Sequence, residues 1–231
     1  MLSVGFIASA SEIQPVASWN FDKIEGDRIF PSAGKYTALV SCGKYVGSVP
    51  GKRGKAVRIQ GKYKGNQAGG ISVKNFKFDF ASPFTVEILV RFDRGVDRKQ
   101  RREIFSMTDS ESGPGIRFSL YYSQLELSTG NGKKKVLIRT ASSNLNITLD
   151  QWHLLTVTYD GKKAVIYYDG VEAAGKEMEI TPSKKNKTLS VGSYKNGLAY
   201  PLTGELDELG IYDFCKTAAL VAERYTAIFG E

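Results

Sequence analysis

The sequence predicts an antiparallel two-sheet β-sandwich with one short C-terminal helix, and three observations predict it. Segments of alternating apolar and polar residues recur along the 231 residues, set apart by Gly-rich turns. Residues 152–170, WHLLTVTYDGKKAVIYYDG, read as a hairpin: Leu155, Val157 and Tyr159 alternate with Leu154, Thr156 and Thr158. Asp160-Gly161 then turns the chain into a second strand, residues 164–168, which Asp169-Gly170 closes, because Gly accepts positive φ. Helical spacing is confined to the end, where Ala218, Ala219, Val221, Ala222 and Tyr225 mark an amphipathic helix within residues 216–229.

Taken in order, residues 16–21 are the first strand and residues 24–35 a polar, turn-rich link. Residues 37–46, around Cys42, read as one strand. Residues 50–55 are a loop, residues 56–59 return to the sheet, and a Gly- and Lys-rich loop over 61–70 precedes the apolar triplet 71–73. Phe84–Phe92 is the clearest strand, with Phe84, Val86, Ile88, Val90 and Phe92 on one face and Thr85, Glu87, Leu89 and Arg91 on the other. A slip of one residue would bury Glu87 and Arg91, so the register is well specified. After a basic loop over 94–102, residues 103–106, 116–121, 125–128 and 136–139 read as strands, with a turn at Asn131-Gly132. Residues 189–192 and 204–212 are the last strands. With no internal repeat or long linker, residues 12–231 form one domain behind a tail over residues 1–11.

These pieces, in number and order, resemble the laminin-G-like domains of the concanavalin A-like lectin/glucanase superfamily over residues 16–225. VASWNFD (16–22) is similar to that family's opening aromatic-x-Phe-Asp strand, and GKRGKAV (51–57) to its Gly-x-x-Gly-x-Ala step. Phe84-Thr85-Val86, the Trp152-His153 opening with its two Asp-Gly turns, LSVG (189–192) and GELDELGIY (204–212) match further steps. Leu89 departs from the pattern, where the family often has Trp. The resemblance implies a concanavalin A-like jelly roll with a concave and a convex sheet. Its members bind glycans or proteins, and some are hydrolases, so fold alone does not choose.

Composition is that of a globular chain, with 42% hydrophobic residues, and no apolar run approaches the roughly 20 residues that span a bilayer. The net charge of +8 is concentrated at Arg98, Lys99, Arg101 and Arg102, at Lys133, Lys134 and Lys135, and at Lys184, Lys185 and Lys187. Each run falls in an expected loop and reads either as solvated loop tips or as a patch for an anionic partner. No recognition helix, RNP-like motif or zinc-finger spacing supports nucleic acid, which leaves an acidic polysaccharide as the anionic partner. Residues 2–10, LSVGFIASA, are apolar and end in the small-x-small form of a signal-peptidase site, without a preceding Lys or Arg. They are expected to be the remnant of an export signal, which places the protein in the periplasm, outside the cell or on its surface. In an exported protein Cys42 and Cys215 read as one disulfide; in a cytosolic one they are two thiols. The resemblance, which lays the terminal segments side by side, is compatible with the bridge, and both readings stay open.

Glu205, Asp207 and Glu208 stand close in sequence but lack the spacing of a glucanase pair and are read as structural. His153 is the single histidine, which excludes a multi-His metal site. The resemblance implies one structural Ca²⁺ between the first and last strands, and Asp207 and Asp22 lie in the matching segments. The alternative is that Asp207 holds a turn by accepting backbone N–H groups. On the outward face of the hairpin and its neighbour, Tyr167, Thr156, Thr158, Glu87 and Arg91 suit a sugar, because a ring stacks and flanking charges take hydroxyls. Tyr63, Tyr121, Tyr122, Tyr194 and Tyr200 add aromatics from loops. Asn146 and Asn186 open glycosylation sequons. The expected function is a non-catalytic carbohydrate-binding module for a polysaccharide or glycoconjugate. The alternatives are a protein-interaction or adhesion domain and a glycoside hydrolase.

Overall fold

The computed structural model describes residues 13–63, 65, 67–141 and 147–230. The expected signal segment and Asn146 lie outside the described residues. In chain order the strands are β1 (Ala17–Trp19), β2 (Ile24–Glu25), β3 (Arg28–Ile29), β4 (Ala38–Ser41), β5 (Val46–Pro50) and β6 (Lys55–Ile59). Next come β7 (Gly70–Val73), β8 (Phe84–Phe92), β9 (Arg102–Thr108), β10 (Gly115–Tyr121), β11 (Gln124–Gly130) and β12 (Lys135–Arg139). The chain closes with β13 (Trp152–Tyr159), β14 (Lys163–Tyr168), β15 (Val171–Glu177), β16 (Leu189–Val191), β17 (Gly204–Tyr212) and the helix α1 (Ala218–Phe229).

Two antiparallel sheets face each other. The first runs β15-β14-β13-β8-β17-β6-β5, with β1 also on β17. The second runs β12-β11-β10-β9-β16-β7-β4-β3-β2. β17 is the pivot of the first sheet: it pairs with β8 along its length, with β6 at Gly204–Leu206 and with β1 at Leu209–Ile211. The change of partner coincides with a bulge between Asp207 and Gly210, where Glu208 takes φ +51°.

Alternation decides which side chains are inside. Phe84, Val86, Ile88, Val90 and Phe92 join Leu155, Val157, Tyr159, Ala164 and Ile166 in one core, as expected. From the second sheet Phe105, Met107, Ile116, Phe118, Leu125 and Leu127 close it. Each such side chain stabilises the fold by about 1.5–3 kcal/mol on full burial.

Three expectations change. The strand expected over 37–46 is two, because Cys42 adopts φ +53° and turns the chain through a 3₁₀ turn at Gly43–Tyr45. The polar link over 24–35 carries the short ribbon β2–β3. β15 follows Asp169-Gly170 as a mostly exposed edge strand, and its VEAAGKE sequence lacks the alternation that marks a half-buried one. Both turn residues have positive φ, +50° and +81°, the geometry of a two-residue hairpin loop.

Candidate functional site

The hairpin register sets Thr156 between Glu87 and Tyr167, and Thr158 between Thr85 and Val165. Glu87, Thr156, Thr158 and Tyr167 thus share the face turned from the core, as alternation predicts. That face carries α1. Val221 packs on Val165 and Tyr167, and Ile228, Tyr225 and Phe229 pack with Leu89, Leu154 and Trp152. Glu87 and Thr156 are left 1% exposed, Thr158 2% and Tyr167 5%. The surface expected to take a sugar is occupied by the chain's own helix, because an amphipathic helix must bury its apolar stripe. Polar groups of the sheet serve that docking: Lys216 Nζ donates to Glu87 Oε1 at 2.9 Å, and the Lys216 N–H donates to Thr85 Oγ1 at 2.9 Å. Arg91 lies beyond the helix and joins a different group. It shares Glu205 with Arg58, whose other Nη holds Asp93 at 2.6 Å, and it lies 5.8 Å from the Trp152 ring.

Asp22 and Asp207 converge on one turn, residues 51–54 between β5 and β6. Asp22 Oδ1 accepts the Lys55 N–H at 2.7 Å and Oδ2 accepts Asn20 Nδ2 at 2.8 Å. Asp207 Oδ2 accepts the Arg53 N–H at 3.0 Å, while Oδ1 is buried with no hydrogen-bond partner. Burial pushes the Asp207 carboxyl up to about 6. Ca²⁺ takes about six to eight oxygens. Three of the four carboxylate oxygens here already hold N–H donors, and no group of three or more His, Cys, Asp or Glu gathers among the described residues. The pair anchors the turn through backbone N–H groups.

The two cysteines do not bridge each other. Cys42 starts the 3₁₀ turn of the second sheet, and Cys215, between β17 and α1, donates weakly to the Lys216 carbonyl at 3.7 Å. Burial pushes the Cys215 thiol up. His153 is buried between Asp169 Oδ2, 2.8 Å from Nδ1, and the Thr148 carbonyl, 2.8 Å from Nε2, and it stacks on Tyr168 at 4.7 Å. It ties the hairpin together. The Asn186 side chain is committed, since Nδ2 donates to the Thr108 carbonyl at 3.1 Å and Oδ1 accepts the Thr188 N–H at 2.9 Å, while its own N–H donates to Asp109 Oδ1 at 2.9 Å.

The accessible aromatic surface belongs to the second sheet. On β10 the residues Arg117, Ser119 and Tyr121 face away from the core, and Glu126 does so on β11. Three cations surround the buried Glu126: Arg101 Nη1 at 2.8 Å, Lys135 Nζ at 2.8 Å and Arg139 Nη2 at 2.6 Å. Burial pushes this carboxyl up, but Lys135 and Arg101 outweigh it and hold it at about 2. Arg101 lies 4.4 Å and Arg139 6.0 Å from the centre of the Tyr121 ring, which meets Tyr122 edge-on at 4.5 Å. Tyr122 is 49% exposed. Its N–H donates to the Arg98 carbonyl at 2.9 Å, bringing the basic loop alongside.

Along the same face, buried Arg117 forks onto both oxygens of Glu103 at 3.0 and 2.8 Å. Its guanidinium lies 4.4 Å from the Tyr194 ring centre and 5.7 Å from that of Tyr200. Tyr63 packs on Tyr200 at 5.1 Å, and its hydroxyl accepts the Arg101 N–H at 3.3 Å, linking the two clusters. The five loop tyrosines thus gather on one sheet. Glu126, Arg117 and Arg139 were not singled out from sequence, whereas Arg101 was named there in the basic loop. A polar residue between Leu125 and Leu127, and Arg117 between Ile116 and Phe118, were the available signals. Ring faces beside donors of positive charge can hold a sugar and an anionic substituent.

A second feature is a cleft of about 560 Å³ at the edge of the sandwich, with Tyr36, Phe76, Phe78 and Pro83 on its walls and Lys35 and Asp213 at its margin. Its walls are chiefly apolar.

Residues 64–222 match the family profile of the Concanavalin A-like lectin/glucanases superfamily, of the laminin G kind. No curated protein sequence matches the chain. Among solved structures it is similar to the binding domain of Paraclostridial Mosquitocidal Protein 1, with TM-score 0.70, 18% identity and coverage of 94% of this chain and 53% of that one. It is also similar to the receptor binding domain of botulinum neurotoxin type G, with TM-score 0.68, 16% identity and coverage of 93% and 51%. A third is the binding domain of botulinum neurotoxin DC in complex with rat synaptotagmin II, with TM-score 0.73, 13% identity and coverage of 94% and 52%. The chain spans about half the length of these structures. At such identities the likeness shows the fold.

Proposed function

We propose a glycan-binding role, with an acidic polysaccharide as ligand, for this chain, which belongs to the Concanavalin A-like lectin/glucanases superfamily. The observation that carries the proposal is the Tyr121–Tyr122 pair framed by Arg101, Lys135 and Arg139 on an accessible edge of the second sheet. Three cations share one carboxylate there, so the cluster keeps a positive excess for an anionic group. The tyrosine faces suit the apolar side of a sugar ring. Export to the periplasm or cell surface belongs to the same proposal, and N-terminal sequencing of the protein isolated from its native cells tests it.

A glycan array at low and high salt tests the ligand. Sulfated or uronate-rich glycans are expected to bind at low salt and to weaken as ions screen the cluster. Binding that ignores salt, or that survives Tyr121→Ala with Arg139→Ala, removes this reading.

The apolar cleft at Tyr36, Phe76 and Phe78 favours a second reading, a domain that takes a protein partner. One of the similar binding domains was solved in complex with rat synaptotagmin II. Absence of binding to every glycan, with partner capture lost in Phe78→Asp, supports it.

A further inference from the structure

Arg102 opens β9 on the inner face of the second sheet. It stands across from Leu120 in the register with β10, and Leu120 belongs to the core. The residue is buried, 4% exposed, with its guanidinium 5.8 Å from the centre of the Phe92 ring. Its acceptors are backbone carbonyls of the loop after β8: Nη1 donates to that of Asp93 at 3.0 Å and Nη2 to that of Val96 at 3.5 Å. The buried Glu87, Glu103, Glu126 and Glu205 each have a cation in contact. Arg102 has no such partner among the described residues, since the nearby carboxylates of Asp93 and Asp150 are taken by Arg58 and Arg94. Burial pushes the guanidinium below its ordinary range, and those two carboxylates offset this only in part.

Arg102 also lines a cavity of about 200 Å³ among the loops after β8, β10 and β12, with Val96, Leu120, Ile147 and Leu149 as apolar walls. Arg98, exposed at the rim, is the other charged residue of the lining, and no carboxylate joins the two among the described residues. We propose that this cavity binds a small monocarboxylate with a short apolar body. A buried charge is costly until it is paired, and a carboxylate supplies the missing partner. The two carbonyls leave N–H donors of the guanidinium over, and its planar fork matches a carboxylate. The apolar walls take the hydrocarbon end, which separates this ligand from a bare inorganic anion. At the roughly 30 Å³ share of one water per non-hydrogen atom, the cavity holds about six or seven such atoms. A four-carbon acid such as butanoate is of that size, and a sugar acid exceeds it on the same measure. The site goes beyond the proposed glycan surface, because Arg102 and Leu120 face inward where Arg101 and Tyr121 face away from the core.

Titration of sodium butanoate into the full chain at constant ionic strength, followed by backbone amide NMR, tests the pocket. The controls are 1-butanol, which lacks the charge, and sodium sulfate, which lacks the apolar body. Butanoate is expected to shift the amides of Val96, Leu120 and Leu149 to saturation, and the two controls are not. Arg102→Met is expected to weaken butanoate binding about tenfold or more, through loss of hydrogen bonds to a charged group. Val96→Trp fills the cavity and leaves Arg102 in place, so it is expected to abolish the shifts and decides the matter should Arg102→Met not fold. Tyr121→Ala is expected to leave them unchanged, which separates this site from the glycan surface. The proposal is overturned by absence of saturable shifts with butanoate or by an equal response to sulfate or 1-butanol. Shifts that persist in Val96→Trp or in folded Arg102→Met, or that vanish in Tyr121→Ala, overturn it as well.

Discussion

Lys216 Nζ meets Glu87 Oε1 at 2.9 Å with both side chains buried, and this pair fastens the start of the C-terminal helix to the middle of the first sheet. Glu87 belongs to a central strand, and Lys216 stands two residues before α1 begins. The pair explains how a sheet face rich in polar residues is covered by the chain itself.

Removing one partner leaves the other charge buried. Lys216→Met is expected to cost about 3–5 kcal/mol in urea unfolding. The double variant Glu87→Gln with Lys216→Met is expected to recover most of that loss, since the uncompensated carboxylate is gone. Equal losses in the single and double variants would show that the pair is not what secures the helix.

Docking also rests on apolar contact. Val221, fully buried on Val165 and Tyr167, is the centre of the small cluster beneath the helix. Val221→Asp is expected to destabilise by about 2–4 kcal/mol, through lost burial and a desolvated carboxylate. Release of the helix exposes Leu89 and Leu154, so the variant should bind a hydrophobic dye. A variant as stable as the parent would contradict this packing.

Glu126 gives the fold an acid-sensitive point. Its carboxyl is held at about 2, below the ordinary 4.5, once its partners Lys135 and Arg101 outweigh burial. The native state therefore binds this proton less readily than the unfolded chain. The stabilisation is present above about pH 4.5 and is lost as the pH falls through about 2. Glu126→Gln is expected to lower stability by about 1–3 kcal/mol at neutral pH and to flatten the acid limb of the pH–stability curve.

Asp207 acts in the opposite sense. Burial raises its carboxyl from 3.8 to about 6, so the native state binds the proton more readily than the unfolded chain. Stability from this group is present below about pH 3.8 and falls as the pH rises through about 6. Asp207→Asn keeps an oxygen for the Arg53 N–H and removes the buried charge. It is expected to raise the melting temperature at pH 7 and to remove that slope. A lower melting temperature for Asp207→Asn at pH 7, with added calcium raising that of the parent alone, would instead assign Asp207 to a metal site.

Tyr121 and Arg139 carry the proposed anionic-glycan surface. Each alanine variant is expected to weaken binding about tenfold; Tyr121→Ala leaves the melting temperature nearly unchanged, whereas Arg139→Ala also lowers it by removing one cation from the buried Glu126. Surface plasmon resonance at two ionic strengths reads both the loss and its salt dependence.

Strand order was legible where alternation was strong. Phe84–Phe92 and Gly204–Tyr212 fold with the bounds read from their pattern, and of the hairpin residues whose alternation points them inward, Leu155, Val157, Tyr159, Ala164 and Ile166 lie in the core and Tyr168 packs partly buried against it. Edge elements were less legible. β15 has no buried face to impose a period, and the break at Cys42 depends on one backbone dihedral that no side-chain pattern records. The sugar-facing residues show the same limit. Alternation placed Glu87, Thr156, Thr158 and Tyr167 outward, but outward from a sheet is not the same as open to solvent.

What the sequence by itself determined is the sandwich, its hairpin and its helix, because periods of two and of 3.6 residues are local consequences of backbone geometry. What only the tertiary structure decided is which sheet face stays accessible. α1 covers one because Val221 and Ile228 need apolar ground far away in sequence. The tyrosines at positions 63, 121, 122, 194 and 200 come together on the other because strand pairing, not spacing, brings their loops to one place.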